Sequence, residues 1–89
     1  MREKKHHSIE EVCRQCGFDR EVLVRFVAAE WISPADWDNE ILDEEDLARA
    51  RLIRDLQEDF GVNDEAIPLI LHLIDQLNSF QILFSRKNP

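Results

Sequence analysis

Eighty-nine residues, 44% of them hydrophobic, specify one domain with a modest core and exclude a disordered chain. Two glycines, three prolines and no tyrosine argue against a turn-rich all-β design. With no secretory leader and no apolar run of about 18 residues, a cytoplasmic protein with two reduced cysteines is expected. The net charge of −8 is concentrated in the middle: residues 1–29 carry six Lys/Arg against five Asp/Glu, whereas residues 30–65 carry three Arg against thirteen Asp/Glu, a net −10. Such a centre repels phosphate backbones and anionic lipid and suits a basic partner.

Residues 1–7 are polar and are expected to be a flexible lead, with His6 and His7 frayed. Ser8 and Glu11 form a capping-box pattern that starts a helix over 9–16, which Gly17 ends in the left-handed conformation. Ile9, Val12, Cys13 and Cys16 recur at i, i+3, i+4, i+7, one apolar face. The pair Cys13 and Cys16 is therefore read as small core hydrophobes. A redox motif would need a βαβ setting, and zinc would need two further ligands where only His6, His7 and His72 stand beside the carboxylates. No metal and no cofactor are expected.

Asp19 caps a second helix over 20–29 with Val22, Leu23, Phe26 and Val27 inward. The two helices around a Gly-containing turn read as a helix-turn-helix. Trp31-Ile32 and Ile41-Leu42 flank a polar, Pro-containing loop and are expected to pair as a small two-stranded wing. Asp43 and Asp46 then cap a third helix, with Leu42 and Leu47 as a hydrophobic staple. Its expected buried stripe is Ala48, Leu52, Ile53, Leu56 and Phe60, and Arg51–Asp55 and Arg54–Glu58 are expected i, i+4 pairs. Gly61 ends it.

A last helix starts at Asn63 or Asp64 and runs to about residue 84, a rod of about 30 Å, with Pro68 in its first turn. Ile67, Ile70, Ile74, Leu77 and Phe84 form one apolar seam, and Leu69, Leu73, Phe80 and Leu83 an adjacent one. The polar wedge holding His72 and Asp75 is narrow, and His72 is expected to be exposed. One core-facing stripe needs little more than ~100° of arc. The surplus predicts a second buried face, in a homodimer or against a partner, with Ile70, Ile74, Leu77 and Phe84 as the self-association set.

Helix-turn-helix, wing, helix and long terminal helix in that order are similar to the MerR-type winged helix-turn-helix, so the fold class expected is mainly α with a two-stranded wing and a long C-terminal helix. The run ILDEEDLARARLIRDLQEDFGVNDEAIPLILHLIDQL resembles the chaperone-modulator family CbpM through its acidic helix start at 41–46, its R-L-x-x-D-L stretch at 51–56 and its terminal helix at 61–77. Elements in the same order cover about 8–80. The family usually carries a tryptophan close before the wing aromatic, where this chain has Glu40-Ile41-Leu42 and places Trp37 earlier. The resemblance implies a single domain over 1–89, ending in a flexible tail at 85–89. It also implies binding to the J-domain of a CbpA-type, DnaJ-like co-chaperone, inhibiting its work with DnaK and its DNA binding.

The contact set expected for that partner is Asp55, Glu58 and Asp59 on the third helix, with Asp36 and Trp37 from the wing as a second patch. Carboxylates would steer a basic J-domain, and Trp37 would anchor it. The rival reading is a MerR-like DNA-binding regulator, because helix-turn-helix plus wing is a DNA-reading layout. Its second helix offers only Arg20 and Arg25, and its wing offers Asp36, Asp38 and Glu40, so nucleic acid is disfavoured. Catalysis has no phosphate loop and no nucleophile–base pair to rest on.

Overall fold

The computed structural model describes residues 5–87, with side chains as far as Gln81. The chain runs β1 (His6–Ser8), α1 (Ile9–Cys16), α2 (Arg20–Ala28), a 3₁₀ turn (Trp37–Asn39), β2 (Ile41–Asp43), α3 (Glu44–Glu58) and α4 (Ile67–Lys87). It is mainly helical with one two-stranded antiparallel sheet and a long last helix, the fold class expected.

The sheet corrects two expectations. Ile41-Leu42 does form a strand, but its partner is β1, with His6 opposite Asp43, His7 opposite Leu42 and Ser8 opposite Ile41. His6 and His7 are therefore not frayed: the strand alternates exposed, buried, exposed, and His7 is the buried residue. Trp31-Ile32 is not a strand, because α2 ends in a Schellman turn. The Trp31 amide donates to the Phe26 carbonyl at 3.0 Å and the Glu30 amide to the Val27 carbonyl at 3.0 Å. Glu30 takes the left-handed position with φ 64°. The rings of Phe26 and Trp31 meet at 5.6 Å, the apolar contact that accompanies this turn. Ile32 then drops into the core.

Asp19 stands at the N-cap of α2 as expected, but its side chain makes no cap hydrogen bond. Local signals are clearer at α1 and α3. Ser8 Oγ accepts from the Glu11 amide at 3.1 Å, and Gly17 closes α1 at φ 76°. The other half of the expected capping box is diverted. The Glu11 carboxylate instead lies 3.4 Å from His7 Nδ1 and accepts from Gln15 at 3.5 Å. At α3 both halves are present, with Asp43 accepting from the Asp46 amide at 2.8 Å and Asp46 from the Asp43 amide at 3.0 Å. Leu42 and Leu47, the staple, are both buried.

The α3 stripe is rotated from the one expected. Leu47, Ala50 and Ile53 are its buried residues, Leu52 and Leu56 are half-buried, and Ala48 faces solvent. Phe60 lies beyond the end of α3 and is 75% exposed. Neither i, i+4 ion pair forms as expected: Arg54 bonds its neighbour Asp55 at 2.6 Å, and Arg51 donates to Gln15 on α1 at 2.9 Å. Arg51 thus answers α1, which α3 packs against, while Arg54 stays on its own helix.

Ile9, Val12 and Cys16 of α1, Leu23 and Phe26 of α2, Leu42, Ile53 and Ile32 form the core with Ile67 and Leu71 of α4. Only the first turns of α4 enter it. The Asn63 side chain accepts from the Ala66 amide at 3.0 Å, so α4 starts at Ile67, later than expected, and Pro68 sits in its first turn. Arg49 holds α4 further along. Its two Nη atoms donate to the Asp75 carboxylate at 2.9 and 3.1 Å while its Nε donates to the Trp31 carbonyl at 2.7 Å. From Asp75 to Gln81 every residue is exposed, so the helix leaves the domain as an arm.

Candidate functional site

Cys16 is fully buried and Cys13 half-buried, both free thiols. Burial raises both thiol pKa values, and for Cys13 the neighbouring Cys16 adds to it. Neither is poised as a thiolate nucleophile. Among the described residues no group of three or more His, Cys, Asp or Glu could hold a metal ion.

The helix-turn-helix presents α2. Leu23 and Phe26 are turned inward, leaving Arg20, Glu21, Val24 and Arg25 on the outer side. Arg20 is already engaged: it pairs with Glu40, just before β2, and lies 3.5 Å from Glu10 of α1. Glu40 reaches it from a left-handed backbone position at φ 57°. A DNA-reading helix needs cations free to meet phosphates. Here Arg20, one of the two arginines of α2, is paired with carboxylates, and Arg25 is exposed.

The two acidic patches expected to meet a partner are not brought together. Asp36 precedes the 3₁₀ turn as its cap and Trp37 opens it, and the turn is tied to β2 through the Asp36–Ile41 bridge. Asp36 is exposed and accepts from Asn39 at 3.0 Å; Trp37 is half-buried against the core. Asp55, Glu58 and Asp59 lie at the other end of the 15-residue α3, about 20 Å away at ~1.5 Å per residue. Glu58 and Asp59 are exposed, while Asp55 is half-buried and shares its charge with Arg54. Exposed Phe60 follows directly, an apolar group beside carboxylates that its place in the periodic stripe had concealed.

On α4, Ile70 and Ile74 are half-buried on the side facing the domain, and Leu77 is 56% exposed. The side chain of Phe84 lies outside the described residues. The open apolar line is the adjacent seam, Leu69, Leu73 and Phe80, joined by Leu77, each more than half exposed. His72 is exposed, as expected.

One cluster escaped sequence reasoning. His7 Nε2 lies 3.0 Å from Glu44 Oε2, and its Nδ1 faces Glu11. The bond to Glu44, aided by Glu11 and opposed by burial, raises its pKa above 6.5. The imidazole thus ties β1 to the first turns of both α1 and α3, whose N-terminal dipoles also favour those carboxylates.

A family model described as MerR HTH family regulatory protein matches residues 7–83. No curated protein matches, and no solved structure does.

Proposed function

This chain belongs to the MerR HTH family of regulatory proteins, and from that premise we propose that it acts through protein–protein binding, as a chaperone modulator. It would bind the J-domain of a CbpA-type co-chaperone and inhibit that co-chaperone's action with DnaK and its DNA binding. The observation that carries this reading is the state of α2: Arg20, the cation at its start, is neutralised by Glu10 and Glu40, and the chain that follows carries a net −10 over residues 30–65. A basic protein surface meets that charge favourably and a nucleic-acid backbone does not. Asp55, Glu58 and Asp59 are the primary contact set in this reading, and Asp36 with Trp37 the secondary one.

The reading includes self-association through α4. The exposed line Leu69, Leu73, Leu77 and Phe80 shares one face of the helix at i, i+4, i+8, i+11, and it supports a homodimer better than Ile70 and Ile74, which face the chain's own domain.

The test sets two assays side by side. In the first, immobilised J-domain captures the purified chain; in the second, the chain is titrated into mixed duplex DNA in a mobility-shift gel. Capture at low salt that fades as salt rises, without a DNA shift, is the expected result. A DNA shift without J-domain capture would replace the modulator with a DNA-binding regulator.

A further inference from the structure

A groove of about 590 Å³ opens between α3 and α4 and is closed at one side by the segment leaving α2. Trp31, Leu52 and Ile74 line it with apolar surface, and Glu30, Glu45, Asp46 and Asp75 contribute carboxylates, Asp46 being engaged at the α3 cap. Among the described residues its one cation, Arg49, is spent: the guanidinium is bonded to Asp75 and to the Trp31 carbonyl. Glu30 and Glu45, both exposed, are left to set the charge of the mouth.

The backbone adds a separate observation. Glu30 occupies the left-handed position of the Schellman turn at φ 64°, where glycine is the easy residue. A side chain held there at a cost in backbone energy is of the kind found at ligand clamps. What it delivers is a carboxylate at the mouth of a groove beside an indole.

We infer that this groove is a docking site for a basic side chain, lysine or arginine, of the protein partner. The apolar stem of such a residue would lie along Leu52 and Ile74, its charged head near Glu30 and Glu45, with the Trp31 ring offering its face to the cation. The volume falls inside the roughly 300–1,000 Å³ typical of specific ligand pockets. The inference rests on the protein-binding reading above, and it adds a recognition site apart from Asp55, Glu58 and Asp59.

The probe is a capped hexapeptide of glycines with two arginines, compared with a twin in which glutamine replaces arginine. Both are titrated into the full isotope-labelled chain and followed by amide chemical shifts. Only the arginine peptide should move residues 30–33, 45–52 and 74–78. Glu30→Gln with Glu45→Gln should weaken that binding at least about fivefold, as for two partly exposed charge pairs. Ala48→Arg, which places a cation in the groove from an exposed helical position, should abolish it. Shifts confined to other surfaces, no shifts, equal shifts with the glutamine twin, or binding indifferent to both variants would overturn the groove. The same variants are then set against the J-domain. Unchanged J-domain affinity in both removes the groove from that interface while the modulator reading stands. If the unaltered chain binds no J-domain, the modulator reading falls, and the peptide titration alone decides the groove.

Discussion

His7 is a charge-bearing residue turned into a structural joint. Its folded pKa is raised above 6.5, chiefly by the hydrogen bond to Glu44, so protonation favours the folded chain. Below about pH 6.5 both folded and unfolded chains carry the proton, and the stabilisation is fully present; it is lost as pH rises through the raised folded value. His7→Gln should therefore cost about 1 kcal/mol at pH 5.5 and less at pH 8.5, read as the difference in urea midpoints at the two values. Glu44→Gln should lower the His7 pKa followed by imidazole NMR. Cys16 supplies the second residue-scale test. Fully buried among apolar side chains, it should tolerate serine poorly, at a cost of about 1–3 kcal/mol, while half-buried Cys13 should lose less on the same change. Equal thermal shifts in the two variants would contradict the packing described.

Among the elements, α3 is the best specified by its own residues. Asp43 and Asp46 satisfy two amides reciprocally, so Asp43→Ala should cost about 1–2 kcal/mol, visible as a lower urea midpoint with an unchanged slope. α4 is the opposite case. Ile67 and Leu71 bury its start and Arg49 clamps Asp75, but every residue from Gln76 to Gln81 is exposed. Leu73→Glu with Leu77→Glu should leave the folded chain's stability nearly unchanged, because both side chains are already more than half exposed. The same pair of changes should shift the chain to monomer in sedimentation if α4 mediates self-association. A wild-type chain that stays a folded monomer at high concentration would exclude that role.

For the molecule as a whole, three arginines at the helix contacts are consumed internally. Arg20, Arg49 and Arg54 each pair with a carboxylate of the same chain, leaving exposed carboxylates at both ends of α3. Association with a basic J-domain should accordingly be fast at low salt and slow as the Debye length shrinks. Reversing Asp55 and Glu58 to lysine should reduce the association rate about tenfold or more with a small effect on dissociation. Stopped-flow measurement across a salt series reads this directly. If rate and salt slope are both unchanged, the C-terminal end of α3 is not the docking face, and the groove beside Trp31 becomes the site to examine.

Four helices, the long apolar terminal one among them, and three of their caps were legible in the sequence because their signals are local: Ser8, Gly17, and Asp43 with Asp46 act within a turn of where they stand. Gly61, expected to end α3, lies beyond its end at Glu58, where Asp59 is the cap. The acidic centre and the ordinary, buried character of Cys16 were legible for the same reason. Tertiary structure alone decided the partner of β2, since pairing His7 with Leu42 joins residues 35 apart and a three-residue strand has no period to read. It also decided which side of α4 is open. Two adjacent seams have the same helical spacing, and only the placement of Ile67, Leu71 and Arg49 against the domain turns Ile70 and Ile74 inward and leaves Leu69, Leu73, Leu77 and Phe80 in solvent.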